Sequence, residues 1–223
     1  MHGLRDEQRE ELRTLSEVAE LLGDDARIES ANLLANYLLI TGAVDEALET
    51  AQNALARRAG AERTAQEAHL HDTLARIQRE RKDTASALHH VEEARRRYAT
   101  LQNPAGVAEV TDLRAGLAYD VGDYRRAAEG HLEAANLFGG LGDIVREAQA
   151  LNNLGTIYWE LGDYAGARIT HERALRVSRA AGDLMGEGDN IDNLGGVYWS
   201  LGNYDEAIAH YSAALQLRRS IRD

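Results

Sequence analysis

Histidine, aromatic and amide side chains are the groups that could carry chemistry in this 223-residue chain, which has no cysteine and one lysine, Lys82. Without cysteine there is no thiol nucleophile and no thiolate metal ligand. His69 and His71 are two apart, which on a helix turns them to different sides, so they cannot chelate one ion together; the adjacent His89 and His90 fail in the same way. His171-Glu172 is followed by Arg173, Ala174 and Leu175, which breaks the spacing of a zinc-protease helix. Gly139, Gly140, Gly142, Gly186 and Gly188 follow no strand pattern, so they read as helix ends and not as a phosphate-cradling loop. No nucleophile, general base and oxyanion donor converge at any spacing. The expectation is no catalytic residue, no metal and no cofactor, hence no enzyme.

Composition narrows the partner. A net charge of −12 would repel a phosphate backbone, which argues against nucleic acid. No apolar run approaches the ~20 residues of a membrane helix, and Met1 to Leu22 is charged, without the apolar stretch of a secretory signal. A soluble, cytoplasmic protein with no membrane association is expected. The abundance of arginine, alanine and glycine is that of a GC-rich bacterial genome and is silent on function.

The elements that must position any site are repeats. Val121-Gly122-Asp123-Tyr124 returns as Leu161-Gly162-Asp163-Tyr164 and as Leu201-Gly202-Asn203-Tyr204, 40 residues apart each time. The register extends back through Lys82-Asp83-Thr84 and Gly42-Ala43-Val44. Ala47, Ala87, Ala127, Ala167 and Ala207 form one column, and Ala54, Ala94, Ala134, Ala174 and Ala214 another. A third holds small residues only: Ala35, Ala75, Ala115, Gly155 and Gly195. Helices approach to ~8–10 Å where small side chains face each other. Leu151, Leu154, Ile157, Tyr158 and Leu161 recur at helical spacing, Gly162 ends that helix, and Asp163 caps the next, as Asp143 and Asp183 do elsewhere. Pro104 fits the first turn of a helix. His131 and His171 share a column with Ala51, Val91 and Tyr211 and read as packing residues. The run Arg95-Arg96-Arg97 reads as a solvated face of a second helix. Gly195 has a packing reason within its helix, whereas Gly188 and Gly196 have none.

Each unit is therefore a helical hairpin whose apolar face is buried by its neighbour. The expected fold is all-α: a right-handed α-solenoid (superhelix) of five antiparallel hairpins over 23–62, 63–102, 103–142, 143–182 and 183–222, preceded by a cap-like helix in 1–22. In that cap Glu7 and Thr14 stand where the alanine columns would be.

Leu154-Gly155, Tyr158, Gly162, Tyr164, Ala167 and Ala174, with Leu194-Gly195, Tyr198, Gly202, Tyr204, Ala207, Tyr211 and Ala214, resemble the tetratricopeptide repeat. The 40-residue period is similar to its long-helix subclass, which includes spindle-orientation adaptors, kinesin light chains, and bacterial signalling regulators and peptide receptors. The second unit departs most, with Lys82 for glycine, Gln78 for tyrosine and Arg95 for leucine, and Arg114 stands in a leucine column of the third.

The resemblance implies that first helices line a concave groove and that ligand contacts come from their polar positions. Carried over, these are Asn32, Asn36, Tyr119, Asn152, Asn153, Thr156, Trp159, Glu160, Asp192, Asn193 and Trp199. An asparagine amide accepts from a peptide N–H while donating to its C=O, so an asparagine column suits an extended backbone. Aromatic residues supply rigid contact area, and the acidic excess favours a partner with a basic segment. The alternative is that Asn153 and Asn193 tie adjacent helices together and that the tryptophans pack on neighbouring units. The expected function is a protein- or peptide-binding scaffold. The alternatives are a peptide sensor that changes solenoid curvature and a module that self-associates through an uncapped C-terminal repeat.

Overall fold

The computed structural model describes the backbone of residues 2–19, 21, 23–57 and 65–222, and the side chains of these apart from 2–7, 16 and 222. The described residues form eleven helices and no strand. The first helices of the hairpins are α2 (Asp24–Ile40), α4 (Ala65–Glu80), α6 (Pro104–Asp120), α8 (Ile144–Glu160) and α10 (Leu184–Ser200). The second helices are α3 (Val44–Ala56), α5 (Thr84–Thr100), α7 (Tyr124–Leu141), α9 (Tyr164–Ala181) and α11 (Tyr204–Arg222), and α1 (His2–Ala19) precedes them all. Part of the expected N-terminal cap, including the side chain of Glu7, and the expected boundary at 62/63 lie outside the described residues.

The chain divides into two compact units after Leu113, within α6. In the first, α1 packs on α2, the hairpins are α2/α3 and α4/α5, and α4 lies against both α2 and α3. In the second, α7 packs on α8, the hairpins are α8/α9 and α10/α11, and α10 lies against both α9 and α8. Each hairpin thus covers the apolar face of another. The core of the first unit is built from Ile28, Leu34, Leu38, Leu70, Leu74 and Ile77 around Ala47 and Ala51. In the second, Leu175, Ile191, Leu194 and Ala214 form one such cluster.

The turns have a local cause. After α8, Gly162 takes φ +75°, its N–H donates to the Trp159 carbonyl, and the Asp163 N–H donates to the Tyr158 carbonyl. These two bonds satisfy the last carbonyls of the helix. Asp163 then caps α9 by accepting from the Gly166 N–H at 2.9 Å. Asp83, Asp123, Asp143 and Asp183 cap their helices in the same way, and Asn103 does so ahead of Pro104. The Ser86 hydroxyl and the Ser86 N–H both bond to Asp83, which holds its carboxyl below the usual range. Lys82 at φ +62° and Gln102 at φ +51° occupy the left-handed position that glycine takes at Gly42, Gly122, Gly142, Gly162, Gly182 and Gly202.

The hairpin itself is set by close approach. Ala47, Ala87, Ala127, Ala167 and Ala207 are all fully buried. A methyl added at Gly155 would lie 2.7 Å from the His171 ring, and one at Gly195 would lie 2.8 Å from the Tyr211 ring. His131 and His171 are buried packing residues, as their repeat positions implied. Two expectations need correction. Leu161, read as part of the buried stripe, is 53% exposed because it follows the last turn of α8. Arg97, read as solvated with its neighbours, is half-buried and pairs with Glu93 and with the fully buried Glu67. Arg95 and Arg96 remain exposed.

Lys82→Gly is expected to stabilise the protein by about 0.5–1 kcal/mol, because it removes a left-handed L-residue, whereas Gly162→Ala costs about 1 kcal/mol or more. Denaturant melts of the two variants check this, and shifts of the same sign in both would contradict it. A second comparison separates close approach from open space. Gly155→Ala should cost ~1–3 kcal/mol by overpacking against His171. Gly188→Ala, whose methyl would meet Leu217 and Arg218 at 3.8 Å, should gain up to ~1 kcal/mol of helix propensity. Thermal melts of that pair should move in opposite directions.

Candidate functional site

The polar residues expected to face a ligand fall in two groups, one in each unit. In the first unit, Asn32 and Asn36 on α2 meet Thr73 on α4. The Thr73 hydroxyl donates to Asn32 Oδ1 at 2.6 Å and accepts from Asn36 Nδ2 at 3.0 Å. Asn36 Nδ2 also reaches the Asn32 carbonyl at 2.9 Å. These residues line a cleft of about 470 Å³ with Leu39, Ile40, His69, Asp72 and Arg76. Asp72 is 8% exposed. Burial raises its pKa, against the opposing pull of Arg76, whose Nε donates to Asp72 Oδ2 at 3.1 Å.

In the second unit, Asn193 Nδ2 donates to Asn152 Oδ1 at 2.8 Å, and Thr156 donates back to the Asn152 carbonyl. Asn153 is exposed and Asp192 half-exposed, with Arg218 Nη2 3.6 Å from the Asp192 carboxylate. Asn152 and Asn153 line a cleft of about 160 Å³ with Gln149, Asp183, Asp189 and Asn190. Trp159 Nε1 donates to the Ser200 hydroxyl at 2.9 Å, and Trp199 packs edge-on against Tyr204 with centroids 4.9 Å apart. The Tyr119 hydroxyl bonds to Glu160, and its pKa is raised by burial and by the Glu160 charge.

One geometric rule runs through both groups. Asn32–Thr73, Asn152–Asn193 and Trp159–Ser200 all join residues 41 apart. Within the units α2 therefore lies beside α4 and α8 beside α10, and Asn36–Thr73, 37 apart, is the same contact one helical turn away. Asn193 ties α10 to α8 through Asn152, not Asn153, and both Asn152 and Asn193 are half-exposed. Their bond uses one donor and one acceptor, and the complementary Asn193 Oδ1 and Asn152 Nδ2 are left to another group.

Sequence reasoning missed a cluster within the α4/α5 hairpin. His71 and His90 meet across the hairpin with their Nδ1 atoms 3.0 Å apart, and the His89 ring lies against His90. Glu67, Glu93 and Arg97 lie beside them. The separation of 19 residues, one helix up and back, was the available signal; His171 and Asn190 are spaced alike, with His171 Nδ1 3.5 Å from Asn190 Oδ1. Burial, then the charges of Arg97 and His90, lower the His71 pKa to about 3, and burial lowers that of His171 to about 4.

These depressed values set a pH dependence. Below the unfolded pKa of about 6.5 the unfolded chain binds protons that the folded imidazoles refuse, so stability falls as pH drops from 6.5 toward 4. At pH 5 each histidine should account for up to about 2 kcal/mol of lost stability relative to pH 7.5. The melting temperature should fall over this range, and His71→Gln should flatten the fall. A profile unchanged by that substitution would show that His71 titrates normally.

Comparison with known proteins places this geometry. Residues 106–180 match a family model described as tetratricopeptide repeat, and residues 193–220 match another of the same description. The fold is similar to that of BtubC (BKLC) from P. vanneervenii, with a TM-score of 0.85 and 23% identity over 98% of this chain and 92% of that one. It is also similar to the apo form of RapI, with a TM-score of 0.77 and 16% identity over 86% and 70% of the two chains. A third similar structure is the Rap conjugation gene regulator of plasmid pLS20 in complex with the Phr* peptide, with a TM-score of 0.70 and 18% identity over 92% and 56%. At such identities the likeness is one of fold. No curated protein matches the sequence. Residues 106–180 and 193–220 are thus tetratricopeptide repeats, and the chain has the fold of these structures.

Proposed function

We propose that this chain is a cytoplasmic protein- or peptide-binding scaffold that recognises an extended, basic segment along its first helices and performs no chemistry. The observation that carries this reading is the first-helix face of the second unit. Half-exposed Asn152 and Asn193, exposed Asn153 and two exposed tryptophans stand there beside Glu160 and Asp192. The amides offer both donors and acceptors to a backbone, the rings offer rigid area, and the carboxylates favour lysine or arginine. That one similar fold holds a peptide supports the same direction, and it favours a second reading in which peptide binding alters the curvature of the repeats.

The exposed face of α11 supports a self-associating module as a further reading. Leu215 is 51% exposed, whereas Leu175, one repeat earlier, is 8% exposed beneath α10.

Selection from a random peptide library, followed by calorimetry on the enriched sequences, tests the leading reading. Enriched peptides should be basic, and Asn153→Ala with Asn193→Ala should weaken them by ~1–3 kcal/mol. Asn153→Ala alone should leave the melting temperature unchanged, whereas Asn193→Ala should lower it by releasing Asn152. Normal binding by the asparagine variant, with loss on Arg95→Ala and Arg96→Ala in α5, would transfer the site to the second helices.

A further inference from the structure

The large exposed side chains of the second unit are not scattered. Trp159 (41% exposed), Leu161, Trp199 (58% exposed), Leu201 and Tyr204 all sit where α8 turns into α9 and α10 into α11. Single exposed apolar residues are ordinary, but two tryptophans and a tyrosine gathered at one edge mark a contact surface.

The rings are also held in place. The Ser200 hydroxyl accepts from Trp159 Nε1 and donates to the Gly196 carbonyl, each at 2.9 Å, so it fixes the Trp159 indole against the end of α10. Trp199, the residue before Ser200, leans edge-on against Tyr204 with an interplanar angle of 65°. Both indoles are therefore oriented while much of their surface stays open, and a ligand would not have to pay for ordering them.

Charge selects the ligand. Glu160, Asp163, Asp205 and Glu206 are exposed on the same two turn segments as the rings. Neither 156–167 nor 196–217 contains a lysine or arginine, so no cation of these segments occupies the indole faces. An acidic partner would be repelled, and an apolar one would gain nothing from the carboxylates. A guanidinium satisfies both features, since it stacks flat on an indole while its edge donates to a carboxylate.

We propose that this turn edge reads an arginine side chain of a bound peptide, with Trp159 and Trp199 as the stacking platform and the surrounding carboxylates pairing its edge. The proposal rests on the scaffold reading but moves the decisive contact from the asparagines to the ends of α8 and α10. It also gives a role to the bond that ties Trp159 to Ser200, the residue after Trp199 at the end of α10.

Trp159 and Trp199 are the only tryptophans in the chain, so intrinsic indole fluorescence reports on this platform alone. The full chain is titrated with acetyl-Gly-Arg-Gly-Arg-Gly-amide and with the same peptide carrying citrulline, which keeps the shape and loses the charge. A saturable change is expected with the arginine peptide and at least about tenfold weaker binding with citrulline. Trp199→Phe should weaken the arginine peptide several-fold, and Ser200→Ala should do so by freeing the Trp159 ring; circular dichroism checks that both variants remain helical. Equal binding of the two peptides would overturn the arginine platform while leaving the scaffold reading intact. No saturable response to the arginine peptide would overturn it as well. Binding lost in the Asn153→Ala and Asn193→Ala variant, with the arginine–citrulline ratio collapsed to one in wild type, would return recognition to the amides.

Discussion

Everything in this molecule depends on how closely the two helices of a hairpin can approach. Where α8 crosses α9 there is no room for a methyl at Gly155, because the His171 ring fills the space; Tyr211 does the same over Gly195. Bulk removed from one helix is supplied by the other, so volume is conserved while the chemistry changes from repeat to repeat. A close-packed crossing tolerates no slip of register. The buried alanine columns repeat that condition in each hairpin. Because the crossing is fixed, so is the next first helix within each unit, and Asn32–Thr73, Asn152–Asn193 and Trp159–Ser200 each join residues 41 apart.

The turns transmit this register economically. Gly162 ends α8 and Asp163 opens α9, with no residue between the two tasks. A loop with no slack holds the second helix where the crossing requires it. It also holds the last turn of the first helix and the start of the second at the surface. That is why Trp159, Trp199 and Tyr204 are presented to solvent although each belongs to a well-packed helix.

The same backbone carries different electrostatics in different hairpins. In α4/α5 the space between helices holds Glu67, His71, His90 and Arg97, whose mutual pairing makes burial tolerable. Tyr98, fully buried and packed against Gly106, has its phenol pushed well above its ordinary range by burial and by the nearby Asp72 and Glu109 carboxylates. In α8/α9 the residue two repeats after Glu67 is Glu147, which is largely buried and pairs with Arg173 across the hairpin. The repeat supplies the frame, and the residues between its fixed positions decide what each hairpin can recognise.

Much of this was legible in the residues themselves. The 40-residue period, the alanine columns, the glycine and aspartate at the turns and the packing role of His131 and His171 depend on spacing along one chain, which local geometry converts directly into helices and caps. The chemistry of the candidate surface was legible in kind, since asparagine, tryptophan and carboxylate are concentrated in the last two repeats. Contacts across helices were not. The pairing of Asn193 with Asn152 and of Trp159 with Ser200, the meeting of His71 with His90, the burial of Arg97 on Glu67 and the exposure of Leu161 all depend on the offset and rotation of one helix against another. Those are set by the summed packing of side chains distant in sequence, so no single repeat encodes them, and only the tertiary structure decides them.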